Sequence, residues 1–339
     1  MPAHFGLDIS SSTIKVAEVT PSKDSYALKA FGEVKTPAPI QSPNPQDLKF
    51  NAGSIKKLLT DAKISSRNVS ITIPDSESFT RVIEMPVLSK SELVSALEFE
   101  SEQYVPFPID QVYLEHQVLM TPPNGSPPDV KMKVLLVAAK KDVVDRVVRV
   151  VELAGLTPVY LETALLSAIR GLKYQLNENS LLVDAGNSST DVGILMNGML
   201  KQISSIPTAG LALTRSIAQN LALSQQQATQ YKHVYGLDKS QLQGKVAVAM
   251  QQPMTSIVNH IVKSIRFANS TEQTVRVQEV VLSGGTALLP GLTHYLVEQL
   301  NIEVVLANPF QKCTNNNLPQ QLVAAAPRFA SAIGAALRD

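Results

Sequence analysis

The chain has 339 residues, enough for about two domains around a sizeable core. Its 44% hydrophobic and 17% charged residues are those of a globular protein and exclude wholesale disorder. Lys plus Arg (30) balance Asp plus Glu (29), so no global positive field exists to hold nucleic acid or an anionic membrane.

The opening residues 5–9 read as an apolar strand, residues 10–12 as a tight turn, and Ile14, Val16 and Val19 as the inward positions of a second strand. A third strand follows at 26–34. The four prolines within 36–46 read as a loop, with helix returning at 54–62 through Ile55, Leu58, Leu59 and Ala62 and a strand at 69–73. A different unit begins near Ser78. It has a strand at 79–85, then a helix opened by the capping box Ser89/Glu92 and carrying Leu93, Leu97, Glu100 and Tyr104. Paired strands at 112–120 and 131–139 flank an exposed proline-rich loop at 121–129. A helix at 141–154 and a strand at 158–161 complete a strand–helix–strand–strand–helix–strand insert. The second half repeats the first: strand 181–185, turn 186–189, strands 190–195 and 200–206, helices across 211–268, strand 279–282, and an amphipathic helix at 328–337.

The two openings align as LDISSSTIKVAEV from Leu7 and VDAGNSSTDVGIL from Val183, with Asp8 over Asp184 and Ser12 over Ser188. Each is a strand ending on Asp, a turn of small residues, then another strand. Small turn residues let backbone N–H groups cradle a polyanion, and an Asp at each strand end can orient hydrated Mg²⁺. Either loop alone reads equally as an ordinary hairpin turn. A third segment, VVLSGGTALLPGL from Val280, places a glycine pair at a strand end where it could lie against a nucleobase or serve as a plain strand-to-helix connection. Together the three are hard to read as turns only.

Those segments resemble the phosphate-1, phosphate-2 and adenosine motifs of the actin-like ATPase superfamily. Met85–Asp110, Val134–Glu162 and the closing RFASAIGAALRD extend the likeness to the PilM family of type IV pilus assembly proteins, which is related to FtsA. The resemblance implies an α/β, two-lobed actin-like fold (a duplicated ribonuclease H-like core) with an FtsA/PilM-type insert. The implied units are 1–84, 161–178 and 328–339 for the first lobe core, 85–160 for the insert, 179–209 and 276–327 for the second lobe core, and 210–275 for a helical subdomain. It places Asp8, Ser10, Ser11, Ser12, Thr13 and Lys15 on the first phosphate loop, and Asp184, Gly186, Asn187, Ser188 and Ser189 on the second. Asp184 falls near Mg²⁺ and the attacking water, and Asp8 and Asp184 face the metal through water. Glu162 falls where a water-orienting polar residue often stands, and Gly284, Gly285 and Thr286 on the adenosine motif.

Two positions depart from the family pattern. Ser10 replaces a usual Gly, which is tolerable only where φ is not positive. Thr229 replaces the Glu of a Glu-x-x-Lys helix that contacts the ribose, while Lys232 is kept; losing that hydrogen bond costs about 1–3 kcal/mol of affinity if buried. The implied protein binds ATP and Mg²⁺, hydrolyses weakly at most, and acts as a pilus scaffold. It receives the cytoplasmic N-terminal peptide of a PilN-like protein in a groove between the first lobe and the insert. An FtsA-like division filament protein and a small-molecule kinase are the alternatives. The first is disfavoured because no amphipathic tail follows the last helix, and the second because it needs a second substrate pocket and a base.

The N-terminus MPAHFGLDIS has neither the charge nor the apolar run of a secretory signal, and no apolar stretch approaches the roughly 20 residues of a membrane span. The expectation is a cytoplasmic protein, peripheral at the inner membrane through a partner, without nucleic acid. The single Cys313 offers no internal disulfide or Cys-based zinc site, and the five histidines show no ligand spacing. No P-loop or G-x-S-x-G elbow occurs. Glu98, Glu100 and Glu102 read as the solvated face of an amphipathic helix.

Overall fold

The computed structural model describes residues 3–123, 127, 130–271, 275–315 and 317–339. In the first lobe, strands β1 (Phe5–Ile9), β2 (Thr13–Pro21) and β3 (Tyr26–Lys35) form an antiparallel meander, followed by helix α1 (Pro45–Asp61) and strand β4 (Asn68–Ile73). Helix α1 starts nine residues before the expected 54. Asn44 caps it by accepting from the Gln46 amide, and Pro45 sits in the first turn, where a missing N–H costs nothing. The last proline of the supposed loop is therefore a helix start.

The chain continues through β5 (Ser78–Met85), α2 (Lys90–Tyr104), β6 (Val112–Met120), β7 (Met132–Lys140), α3 (Lys141–Leu153), β8 (Thr157–Thr163) and α4 (Ala164–Gly171). The capping box of Ser89 and Glu92 is present at α2. Phe99 stands 84% exposed on that helix, so its outward face is not purely charged. The expected loop at 121–129 lies partly outside the described residues.

The second lobe holds β9 (Ser180–Ala185), β10 (Thr190–Met196) and β11 (Met199–Ile206). A helical layer follows: α5 (Gly210–Asn220), α6 (Gln225–Tyr235), α7 (Lys245–Ala249) and α8 (Gln251–Thr271). The chain then runs through β12 (Glu279–Ser283), α9 (Leu292–Leu300), β13 (Glu303–Leu306), α10 (Gln320–Ala324) and α11 (Ala330–Ala336).

The duplication is visible in the sheets. The first lobe orders its strands β3-β2-β1-β4-β8, the second β11-β10-β9-β12-β13; in both, the third, second and first strands run antiparallel and the last two join in parallel. Even the irregularity repeats. A bulge falls at Glu18/Val19 in the first meander and at Ile194/Leu195 in the second, the same place in the repeat.

The six elements expected as one insert divide between the lobes. Strands β5, β7 and β6 extend the second lobe's sheet, joined to it by the short pairing of Gln202 with Arg81 and Ile203 with Thr80. Helix α3 instead buries Val143, Val147, Val150 and Val151 in the first lobe's core beside Phe5, Ile55 and Leu58, and β8 pairs with β4. A valine stripe at i, i+4, i+7 and i+8 needs an apolar partner, and α1 supplies it. The closing helix also differs from its expected amphipathic form, since all seven residues of α11 are buried. It is wedged against α4 and β1 by small side chains. An ideal Cβ on Gly334 would stand 1.7 Å from the Ser167 carbonyl oxygen, so only glycine permits this approach.

Candidate functional site

Between the lobes lies a cavity of about 1050 Å³. All three predicted loops line it: Asp8, Ser10, Ser11, Ser12, Thr13 and Lys15 from β1, its turn and β2; Asp184, Gly186, Asn187, Ser188 and Ser189 from the equivalent place in the second lobe; and Gly284, Gly285 and Thr286 after β12. Lys232 of α6 also lines it. The turns after β1 and β9 are each closed at the base by the same contact across four residues: Ser10 N donates to Thr13 O at 2.9 Å, and Gly186 N to Ser189 O at 3.0 Å. At their tips the amides of Ser11, Ser12, Asn187 and Ser188 make no hydrogen bond among the described residues. Four unengaged N–H groups at the rim of a cavity fit a polyphosphate. Ser10 does not have positive φ, so its replacement of Gly carries no backbone strain.

Gly284 has φ +88°, and an added Cβ would stand 2.4 Å from both the Ala185 carbonyl oxygen and Asp184 Oδ1. The turn can therefore press against the second loop only as glycine. Thr286 Oγ1 donates to Gly186 O at 2.6 Å, Lys232 Nζ to Gly210 O at 2.9 Å and Gly210 N to Gly186 O at 3.2 Å, tying the turn after β12, the turn after β9 and α6 together through the start of α5. Burial pushes Lys232 down to about 8, because the site offers the ammonium little solvation. Thr229 lines the cavity, but its hydroxyl donates to Gln225 O within its own helix.

Charge distinguishes the two copies. Asp8 accepts from Lys15 Nζ at 2.9 Å and from Thr72 Oγ1 at 2.8 Å, both within buried surroundings. Register pairs Asp8 with Lys15 in the first meander and Asp184 with Asp191 in the second. The second lobe thus sets a carboxylate where the first sets an ammonium. Asp184 accepts from Ser283 Oγ at 3.1 Å; desolvation, then the Asp8 charge, push it up to about 6, against the pull of Lys15 and Ser283. Asp191 is pushed up to about 7, chiefly by burial. Asp75, in the turn after β4, also lines the cavity and lies well above the usual carboxylate range through burial and the charge of Asp191.

Glu162 is placed elsewhere. It is not among the cavity-lining residues; its carboxylate is held by Arg170 at 2.5 and 2.6 Å and by Arg338 at 2.5 Å. The expected water-orienting role gives way to an anchoring one, because two guanidiniums from α4 and the chain's end occupy both of its oxygens. Conversely, Asp75, Asp191, Thr72, Arg215 and Arg328 were missed by motif reading. Asp191 had a signal: it is the one charge reversal when the two loop sequences are aligned, facing Lys15. Asp75 had none, since its place is set by a turn that only the fold brings to β10.

Comparison with known proteins widens the likeness from the loops to the whole chain. A family model described as type IV pilus assembly protein PilM matches residues 6–339. A solved PilM-PilN type IV pilus biogenesis complex superposes with a TM-score of 0.86 at 26% identity, covering 99% of this chain and 98% of that one. MreB5 of Spiroplasma citri bound to ADP superposes at 0.54 with 11% identity over 98% and 94%, a likeness of fold alone. The cell division protein FtsA of Bacillus subtilis is 25% identical over 194 residues, 51% of this chain but only 44% of that protein's length. The fold is thus the two-lobed actin-like ATPase fold that the loop motifs implied. With the match running from Gly6 to the last residue, the chain belongs to the type IV pilus assembly protein PilM family.

Proposed function

We propose that this protein is a nucleotide-gated scaffold of the type IV pilus machine, holding ATP with Mg²⁺ across its cleft and binding the cytoplasmic N-terminal peptide of a PilN-like membrane protein. The observation that carries the reading is the full-length match to the PilM family together with the likeness, at a TM-score of 0.86, to a PilM-PilN complex. The nucleotide half is supported by the loop amides free to take phosphate oxygens. Asp184 would orient hydrated Mg²⁺, with Asp8 acting through Lys15 and water. When bound, the ion would neutralise phosphate charge beside these carboxylates. Lys232 and the Gly284 turn would hold the nucleoside end.

No helix among the described residues is long and apolar enough to cross a membrane. In this reading the PilN-like partner brings the protein to the inner membrane. ATP can alter partner affinity only through unequal affinity for two arrangements of the lobes. Titration of a PilN-type N-terminal peptide with and without Mg-ATP, repeated with Asp8→Ala and Asp184→Ala, tests both halves. Peptide binding that responds to Mg-ATP in the wild type and not in either variant is expected. Absence of peptide binding in every condition overturns the scaffold role, and equal affinity with and without Mg-ATP overturns the gating.

A further inference from the structure

Residues 91–120 carry six carboxylates, Glu92, Glu98, Glu100, Glu102, Asp110 and Glu115, and neither Lys nor Arg, in a chain whose charges otherwise balance. The stretch covers all but the first residue of α2 and the whole of β6. Among the described residues, Glu98, Glu100, Glu102 and Glu115 enter no ion pair. Strand β6 is the last of its sheet and pairs with β7 on one side only. Its register with β7 is regular from Val112 to Val118, where a bulge interrupts it. Between Tyr113 and Val118, no other segment among the described residues takes up the outward amides and carbonyls.

Helix α2 packs on the same sheet, with Leu93 and Leu97 buried beside Val112, Val134 and Leu136. It leaves a groove along the open edge. A cavity of about 270 Å³ lies there, and its lining includes Leu97, Ile109, Val112 and Leu114, with Val94 and Glu98 from the helix. Val118, 40% exposed, continues the side of β6 that carries Val112 and Leu114. The volume falls below the roughly 300–1,000 Å³ of small-molecule sites and suits one or two side chains. An unpaired edge beside an apolar slot is the geometry in which an extended peptide joins a sheet. Main-chain hydrogen bonds hold it, and alternate side chains enter the slot. Charge decides the occupant. A second copy of this chain would set carboxylates against carboxylates, and like charges facing one another oppose pairing. A basic segment meets the same surface favourably.

We propose that the edge of β6 and the groove beside α2 form a docking site for a partner protein, which adds an extended basic segment to the sheet along Val112–Val118. One large apolar side chain of that segment enters the slot between Leu97 and Leu114, and its Lys or Arg side chains face the carboxylates of α2, Glu98 first. The site lies outside the cleft and does not rest on the nucleotide reading or on the peptide groove between the first lobe and the insert.

The test uses the full chain and two labelled peptides of equal length, one alternating Lys with Leu and one alternating Glu with Leu, followed by fluorescence anisotropy. The basic peptide is expected to bind once per chain, and the acidic one about tenfold or more weaker. Glu98→Lys and Val94→Lys should each weaken the basic peptide by about fivefold or more. Both positions are exposed, so the variants should melt with the wild type. Hydrogen exchange on the wild type reads the site without any substitution: the basic peptide should slow exchange in β6. Equal binding of the two peptides, variants that bind as the wild type does, or β6 left unprotected overturns the proposal. Sedimentation distinguishes the other occupant. Self-association that protects β6 and is abolished by Glu98→Lys would make a second copy the occupant and overturn the basic partner. Protection of β6 by a PilN-type N-terminal peptide would overturn its being a separate site.

Discussion

Lys15 and Asp191 occupy one place in two copies of the same meander, and their opposite charges decide how each loop behaves. In the first copy the Asp8–Lys15 pair cancels. In the second, burial and neighbouring carboxylates raise Asp184 to about 6 and Asp191 to about 7 from an ordinary 3.8. An acid with a raised pKa binds more protons folded than unfolded between the two values. Its contribution is therefore present in full below about pH 4 and lost as pH rises to about 7. Without divalent cations, Asp191→Asn should stabilise the protein by on the order of 2 kcal/mol at pH 8 and by little at pH 4. Urea unfolding in EDTA at the two pH values measures this. An equal effect at both would show that the carboxylate does not titrate differently on folding.

Element packing turns on how closely α11 approaches its neighbours. Ser167 Oγ on α4 donates to Ser331 O on α11 at 2.7 Å, and the Gly334 backbone nearly touches the Ser167 carbonyl. Gly334→Ala should cost about 3 kcal/mol or more, since α11 and α4 must separate to admit one methyl group. Denaturant midpoints would read it, and a loss under about 1 kcal/mol would mean that the helix simply shifts. This packing was not legible beforehand: RFASAIGAALRD suggests an amphipathic helix, and small residues on every side become meaningful only when both flanks are covered. The strands of the two meanders were far more legible. Apolar alternation and the repeated Asp-turn-strand pattern marked both meanders, and the motif residues other than Glu162 line the cleft. Glu162 was misplaced because strand parity, which spacing alone leaves open at a crossing, turns its carboxylate to Arg170 and Arg338. Asp75 escaped because its partners are far away in sequence: Leu165 on α4 and Asp191 on β10.

At the scale of the whole molecule, residues of both lobes line the cleft, so a ligand filling it would touch both. The lobes also touch directly: Tyr26 Oη donates to Pro309 O at 2.7 Å, Leu28 N to Asn315 Oδ1 at 2.8 Å, and Asn315 Nδ2 to Leu28 O at 3.1 Å. These contacts tie the second lobe's return segment to the first lobe's sheet, yet they leave the tips of the turns after β1 and β9 without backbone partners among the described residues. Such amides exchange with solvent through little or no opening. A single Mg-ATP spanning the cleft should therefore slow exchange in peptides containing 10–13, 186–189 and 284–286 together, with one shared concentration dependence. The slowing approaches about a hundredfold at a ligand concentration of roughly one hundred times Kd, provided that exchange follows the free protein. Lys232→Met should shift all three curves to higher ATP by the same factor, because the three segments report one binding event. Protection of the 186–189 segment alone would place the nucleotide in the second lobe only. The lobes would then have no ligand in common, and gating of the partner peptide by ATP would lose its physical basis.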